Sequence, residues 1–233
     1  MKIGLFGYGK MGRMIEQIAQ QRGHTIVAKV DVETKDVDYQ NMDVAIDFST
    51  PDAAFNNIIS CFEHSVPVIS GTTGWLSRYD EAVDSCNAKK GAFIYASNFS
   101  LGVNVFFELN SYLAKMMSTL DQYMVSMEEI HHTQKLDAPS GTAITLADGI
   151  IKNTAYSNWK LDDSDESTIP ITSKREGTVP GTHTIAYQSA VDDIEIKHTA
   201  HNREGFALGA VIAAEWIKGK VGVFAMKDVL NLK

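Results

Sequence analysis

The chain has 233 residues, 44% of them hydrophobic and 21% charged, and a formal net charge of −8. That length holds one large or two modest domains with real cores, the composition is that of a globular protein, and the acidic balance argues against a nucleic-acid or anionic-membrane surface while leaving room for a local basic pocket. Cys61 and Cys86 have neither metal nor disulfide spacing, which points to a reducing cytoplasm. Too few apolar residues separate Met1 from Gly7 for a signal-peptide core, and the longest apolar stretch, Phe206 to Ala214, is too short to span a bilayer.

The chain opens with a predicted strand, Lys2 to Phe6, then Gly7-Tyr8-Gly9-Lys10-Met11-Gly12, then an amphipathic helix to about Arg22 with Gly23 as its stop. This is GxGxxG in the context the motif requires. Gly7 permits the tight turn, Gly9 lets backbone approach a pyrophosphate, and Gly12 allows close helix–strand contact. A second strand, Thr25 to Val30, ends at Asp31, near the expected distance of about twenty residues, where a carboxylate accepts the ribose hydroxyls. Asp31 repels a 2′-phosphate and Val32 supplies no guanidinium, although Lys35 stands close in sequence. We therefore expect NADH and NADPH both to be used, with NADH preferred.

Glu33 to Met42 is too short and polar for a full crossover helix. A buried strand follows at Val44 to Phe48, and Ser49-Thr50-Pro51 starts a helix to about Glu63. Next come a strand at Val66 to Ser70, the turn Gly71-Thr72-Thr73-Gly74, a polar helix, and a strand at Ala92 to Ala96. The alternation predicts a Rossmann-like doubly wound parallel sheet. Ligands of such sheets bind beyond the carboxyl ends of the strands, where Gly71 to Thr73 and Ala96-Ser97-Asn98-Phe99 fall; together these outline a nicotinamide pocket.

A long helix at Gly102 to Ser118 and a strand at Tyr123 to Ile130 lead to the segment that carries the chemistry, Glu128 to Ala143, EEIHHTQKLDAPSGTA. Adjacent side chains on extended backbone point to opposite faces, so His131 and His132 have different jobs, one toward the reacting carbon and one on the substrate. Imidazole exchanges protons near neutral pH, and Lys135 brings a donor on a flexible stem. Ser140 is a good N-cap, so a helix from Gly141 to about Asn153 presents free N–H groups to an anion, helped by the Thr142 hydroxyl. A metal is not expected, because the chain has no HExxH or CxxC and neighbouring histidines on a strand do not converge on one ion.

Two or three strands are expected between Ile169 and Ala200, and Asp162 to Glu166 reads as a solvated loop. A final helix, about Glu204 to Lys218, and a short segment from Val221 to Leu230 return to the nucleotide-binding domain. The expected organisation is a dinucleotide-binding domain of residues 1–101 and 202–233 around a second α+β domain, 102–201, with a mixed sheet for substrate binding and oligomerisation. The crossings near Ser100 and His201 form a hinge pair. His24, His64, His183, His198 and His201 have no partner constellation and read as structural or exposed.

GYGKMGR, IDFSTP at Ile46 to Pro51, SGTTGW at Ser70 to Trp75, ASNFSLGVN at Ala96 to Asn104, HHTQKLDAPSGTA and REGTVPGTH at Arg175 to His183 occur in the order seen in dihydrodipicolinate reductases, also called 4-hydroxy-tetrahydrodipicolinate reductases. From end to end the chain resembles that family. The resemblance implies reduction of a cyclic dicarboxylate with NADH or NADPH in the diaminopimelate route of lysine biosynthesis, by a cytoplasmic homotetramer. It implies His131 as the acid/base histidine, Lys135 as a proton donor, His132 as a substrate contact, and Gly141 with Thr142 as the carboxylate site. Gly7 to Gly12, Asp31, Gly71 to Thr73 and Ala96 to Phe99 match cofactor contacts. Many relatives carry arginine after the acid and a longer connection to the next strand; this chain has Val32 and a shortened one. Two other classes fit the first motif: another NAD-linked reductase of an amino or semialdehyde substrate, and a non-catalytic NADH-binding sensor.

Overall fold

The computed structural model describes residues 1–34, 36–163, 165 and 167–232. Lys35 lies outside the described residues, as do Ser164 and Glu166 of the expected solvated loop. In chain order the elements are β1 (Lys2–Phe6), α1 (Lys10–Gln21), β2 (Thr25–Val30), β3 (Val44–Asp47), α2 (Pro51–Glu63), β4 (Val68–Ser70), α3 (Tyr79–Ala88) and β5 (Ala92–Tyr95). Then follow α4 (Leu101–Met117), β6 (Met124–His131), α5 (Gly141–Ile151), β7 (Asn158–Leu161), β8 (Thr168–Arg175), β9 (Gly181–Gln188) and β10 (Asp193–Ala200), and finally α6 (Glu204–Ile217), β11 (Gly222–Phe224) and α7 (Met226–Val229). The chain forms two compact units, Met1–Leu101 with Glu204–Lys233, and Gly102–Arg203.

In the first unit six parallel strands run in the order β11-β5-β4-β3-β1-β2. Their side chains alternate between two cores. Ile3, Leu5, Val44, Ile46, Ile69 and Ile94 face α1 and α6, whereas Ala45, Val68 and Phe93 face α2 and α3. Both faces are covered, which is why these strands read as continuous apolar runs rather than alternating ones. The strand order reverses between β1 and β3, and there Gly7, Phe48 and Ser49 leave the sheet together. Among its described residues the segment after β2 forms a single 3₁₀ turn, Tyr39–Asn41, so the crossover is abbreviated as its polarity predicts. The C-terminal segment adds β11 as a sixth strand beside β5, which its short apolar run did not announce.

The second unit is a mixed sheet in the order β10-β9-β6-β8-β7. Val125 and Met127 of β6, Ile169 and Ile171 of β8, and Ile185 and Tyr187 of β9 face one way, onto Phe106 and Leu113 of α4 and Leu146 and Ile150 of α5. β7, whose half-exposed NWKL carries a weak strand pattern, was not anticipated; it pairs with β8 at the sheet edge.

Candidate active site

The glycines of the first turn are fixed by close approach. Gly7 has φ +88, and a Cβ there would lie 2.2 Å from the Phe48 carbonyl oxygen; one on Gly12 would lie 2.3 Å from that of Gly7. Gly9 differs, since a Cβ there meets nothing within 4 Å. Gly9 occupies the N-cap of α1, no side chain caps that end, and its first turn holds no acidic residue. The uncapped start of α1 at Gly9 therefore faces open space with the positive end of a helix behind it, the arrangement a pyrophosphate needs.

A cavity of about 610 Å³ opens there, lined by Gly7, Tyr8, Gly9, Asp31, Val32 and Ser49 among others. A second of about 260 Å³ is lined by Met11, Phe48, Ser49, Gly71, Thr72 and Thr73. Asp31 and Val32 are exposed, with Val32 at 92%. A nicotinamide dinucleotide fits this donor set: glycine backbone for the pyrophosphate and a carboxylate at the end of β2. Ala96 to Phe99 leave β5 at the same carboxyl edge, with Ala96 N–H donating to the Ser70 carbonyl at 3.2 Å. They line neither cavity; Phe99 is buried against Phe48, ring centroids 5.7 Å apart.

Beneath both cavities lies a residue of the IDFSTP motif to which the sequence reading gave no role. Asp47, at the end of β3, is fully buried and accepts hydrogen bonds from Ser49 Oγ (2.6 Å), Ser70 Oγ (2.7 Å), Thr72 Oγ1 (2.8 Å) and Asn57 Nδ2 (3.1 Å). One carboxylate thus joins the ends of β3 and β4, the turn after β4 and α2. Burial raises its pKa, and the four donors oppose that shift. A buried acid ending an apolar strand was the available signal.

The second unit's site follows from strand register. Glu129 of β6 stands beside His183 of β9 and Ser173 of β8, and His131 beside Arg175. These residues continue the core-facing rows, so the apolar stripe of Val125 and Met127 becomes polar at Glu129 and His131. Glu129 is fully buried. It accepts from Ser140 N–H (3.1 Å), Ser173 Oγ (2.8 Å) and Arg175 Nη2 (3.2 Å), with His131 Nδ1 at 3.5 Å and His183 Nε2 at 3.7 Å. Burial alone raises this carboxyl's pKa, but the His183 imidazole and the bonds from Ser140 and Ser173 outweigh it and hold the acid well below the usual carboxylate range. His131 is 7% exposed, and burial pushes its pKa from 6.5 down to about 4; Glu129 opposes this, and His183, Lys135 and Arg175 add to it. A Cβ on Gly181 would stand 3.1 Å from His131 Nε2, so glycine there leaves the ring its space.

Lys135 Nζ is bound to both carboxylate oxygens of Asp137 at 2.8 Å. Ser140 caps α5 as expected, its hydroxyl accepting from Ala143 N–H at 3.2 Å, and no acidic residue lies in the first turn. A Cβ on Gly141 would meet open space. The helix start therefore faces outward, with Thr142 in its first turn, while Ser140 N–H ties it to Glu129.

The expectation for His183 is corrected: it is buried, 3.2 Å from Ser140 Oγ, and its ring lies 5.1 Å from that of His131. The signal was period-two polarity in two strand ends, Glu129/His131 and Ser173/Arg175, with His183 two residues after Gly181 at the start of a third. His132 falls after β6 ends and is half-buried. Glu129, His131 and His183 place ligand atoms within 4.8 Å of one another, a spacing that suits a cation. The Glu129 carboxylate already accepts three hydrogen bonds, one from a guanidinium, so this donor set suits proton handling better than an ion.

Residues 1–99 match the family model for dihydrodipicolinate reductase, N-terminus, and residues 102–230 that for dihydrodipicolinate reductase, C-terminus. The chain belongs to the dihydrodipicolinate reductase family. Among family members, the 4-hydroxy-tetrahydrodipicolinate reductase of Christiangramia forsetii is 59% identical over 99% of this chain and 98% of its own. That of Thermosipho africanus is 33% identical over 99% and 98%. A dipicolinate-bound dihydrodipicolinate reductase from Paenisporosarcina sp. TG-14 has the same fold, with a TM-score of 0.77 at 21% identity over 100% of this chain and 99% of that one. The family's two parts meet in sequence between residues 99 and 102, and the division into compact units falls at Leu101.

Proposed function

We propose that this protein reduces 4-hydroxy-tetrahydrodipicolinate to tetrahydrodipicolinate in the diaminopimelate route of lysine biosynthesis, using NADH or NADPH. The observation that carries this reading is the full-length likeness to relatives named for that activity. The two sites support it separately. The first unit serves as the dinucleotide-binding domain, with Gly7 to Gly12 on the pyrophosphate, Asp31 on the ribose, and Gly71 to Thr73 with Ala96 to Phe99 toward the nicotinamide end. Asp31 and Val32 at the ribose position favour NADH. The second unit serves as the substrate domain.

Bound in its cleft, the nicotinamide supplies a hydride. The residues of the second unit have to hold two carboxylates and deliver a proton. Gly141 and Thr142 at the start of α5 take one carboxylate with N–H groups and a helix dipole. Lys135 takes a carboxylate in exchange for Asp137, and His132 adds a polar contact. His131, neutral at pH 7 with a pKa of about 4, gains proton affinity when an anionic ring settles beside it, because opposite charge stabilises imidazolium. His131 and Lys135 are the two groups that can then place a proton on the reduced ring.

Assembly as a homotetramer is supported by an exposed apolar stripe on α4, Val105, Leu109, Tyr112 and Met116. A cytoplasmic setting is supported by two buried free thiols. The deciding experiment supplies pyruvate, aspartate semialdehyde and the upstream synthase and follows NADH and NADPH oxidation separately. The expected result is oxidation of both, faster with NADH; no oxidation of either sinks the reading.

A further inference from the structure

We propose that Arg175, bridging Glu129 and the loop after β6, is the positioning residue that sets Lys135 at a fixed place beside His131. The inference rests on the proposed roles of those two residues and adds a third that touches neither substrate nor cofactor.

Lys135 sits on the connection between β6 and α5, where no strand or helix holds it. Its stem is flexible, so the position of its ammonium is only as well defined as the backbone beneath it. Arg175, the last residue of β8, supplies that definition. Its Nε donates to the Lys135 carbonyl at 3.3 Å, and Nη2 donates to the Asp137 carbonyl at 2.6 Å. The same Nη2 reaches Glu129 Oε1 at 3.2 Å, and Nη1 donates to the Lys174 carbonyl at 2.8 Å. One planar group therefore gathers four acceptors from three segments: its own strand, the carboxylate 3.5 Å from His131 Nδ1, and both carbonyls flanking the Lys135–Asp137 turn.

The chemistry requires arginine in particular. A guanidinium presents five donors in a rigid fork, whereas an ammonium is a point charge on a mobile stem. Lysine at 175 could neutralise Glu129 but could not span the loop carbonyls and the carboxylate together. If the role of Arg175 were only to balance the buried Glu129, lysine would suffice; if it positions Lys135, lysine fails.

The test is a double-mutant cycle in the coupled assay with Arg175→Lys, Arg175→Met, Lys135→Ala and the double variant Arg175→Lys/Lys135→Ala. NADH affinity and thermal unfolding are recorded alongside. Expected is a loss in kcat/KM of about tenfold or more for Arg175→Lys, close to that of Arg175→Met, with unchanged NADH affinity. In the Lys135→Ala background the same change has almost no further effect, because residues acting as a unit are not additive. Arg175→Lys within about twofold of the wild type overturns the inference, as does an equal loss in both backgrounds. Lys135→Ala with intact turnover defeats both the proposed role of Lys135 and this inference; turnover lost there but kept in Arg175→Lys defeats the inference alone. If Arg175→Lys does not fold, Arg175→Gln, which keeps one amide donor and cannot span the acceptors, takes its place with the same expected and contrary results.

Discussion

The two sites are built from different materials. The cleft of the first unit is made of backbone: Gly7 and Gly12, where nothing larger fits, Gly9, which faces open space, a helix end and one buried carboxylate that fastens the loops from below. The site of the second unit is made of titratable side chains brought together by register on three strands, at the point where an apolar core turns polar. A backbone site fails through shape, and a side-chain site fails through charge, so substitutions in the two should separate cleanly.

The sharpest contrast lies within the first unit. Gly7→Ala puts a Cβ 2.2 Å from the Phe48 carbonyl oxygen at φ +88 and should destabilise the protein by about 2–4 kcal/mol in denaturant unfolding. Gly9→Ala fills open space, so its stability should change by less than about 1 kcal/mol while NADH affinity falls. Equal loss of stability in both variants would erase the distinction between structural and ligand-facing glycines.

Next in size is a pH effect confined to the second unit. His131 has a folded pKa of about 4 against 6.5 when free. Because the folded value is depressed, the unfolded chain binds the extra proton first, so this group's contribution is complete above pH 6.5 and is lost as pH falls toward 4. The wild type should therefore lose about 3 kcal/mol relative to His131→Gln across that window. Parallel stability curves for the two proteins would contradict the burial of a neutral imidazole.

Asp47→Asn should weaken NADH binding by about tenfold, the equivalent of one lost buried hydrogen bond, with little change in substrate KM. A substrate-side defect would mean that Asp47 does not act through Ser49 and Thr72. The smallest effect expected is that of Thr142→Val, a rise of a few-fold in substrate KM with cofactor affinity intact, read from initial rates.

The same division explains what could be read from the sequence. The strand, glycine turn and helix start from Lys2 to Gly12 are legible because a tight strand-to-helix turn has one local solution, and the chain writes it in consecutive residues. His131, Lys135 and the Ser140 cap are legible for the same reason, all within one segment. Glu129, Arg175 and His183 meet only through the pairing of β6 with β8 and β9, about fifty residues apart in sequence, and no local pattern states which strands pair. Asp47 was hidden differently: its partners Ser70 and Thr72 lie on the next strand and turn, and a polar residue ending a buried strand reads as ordinary turn chemistry. β7 and β11 were missed because short edge strands carry too few residues to show a period.

The central claim is that proton delivery resides in the second unit and cofactor binding in the first. Steady-state turnover and NADH dissociation constants of His131→Gln and Lys135→Ala, measured on the same preparations, test it most directly. Turnover should fall by about a hundredfold or more in each with NADH affinity within about twofold of the wild type. Unchanged turnover in both variants, or a loss explained entirely by weaker NADH binding, would contradict it.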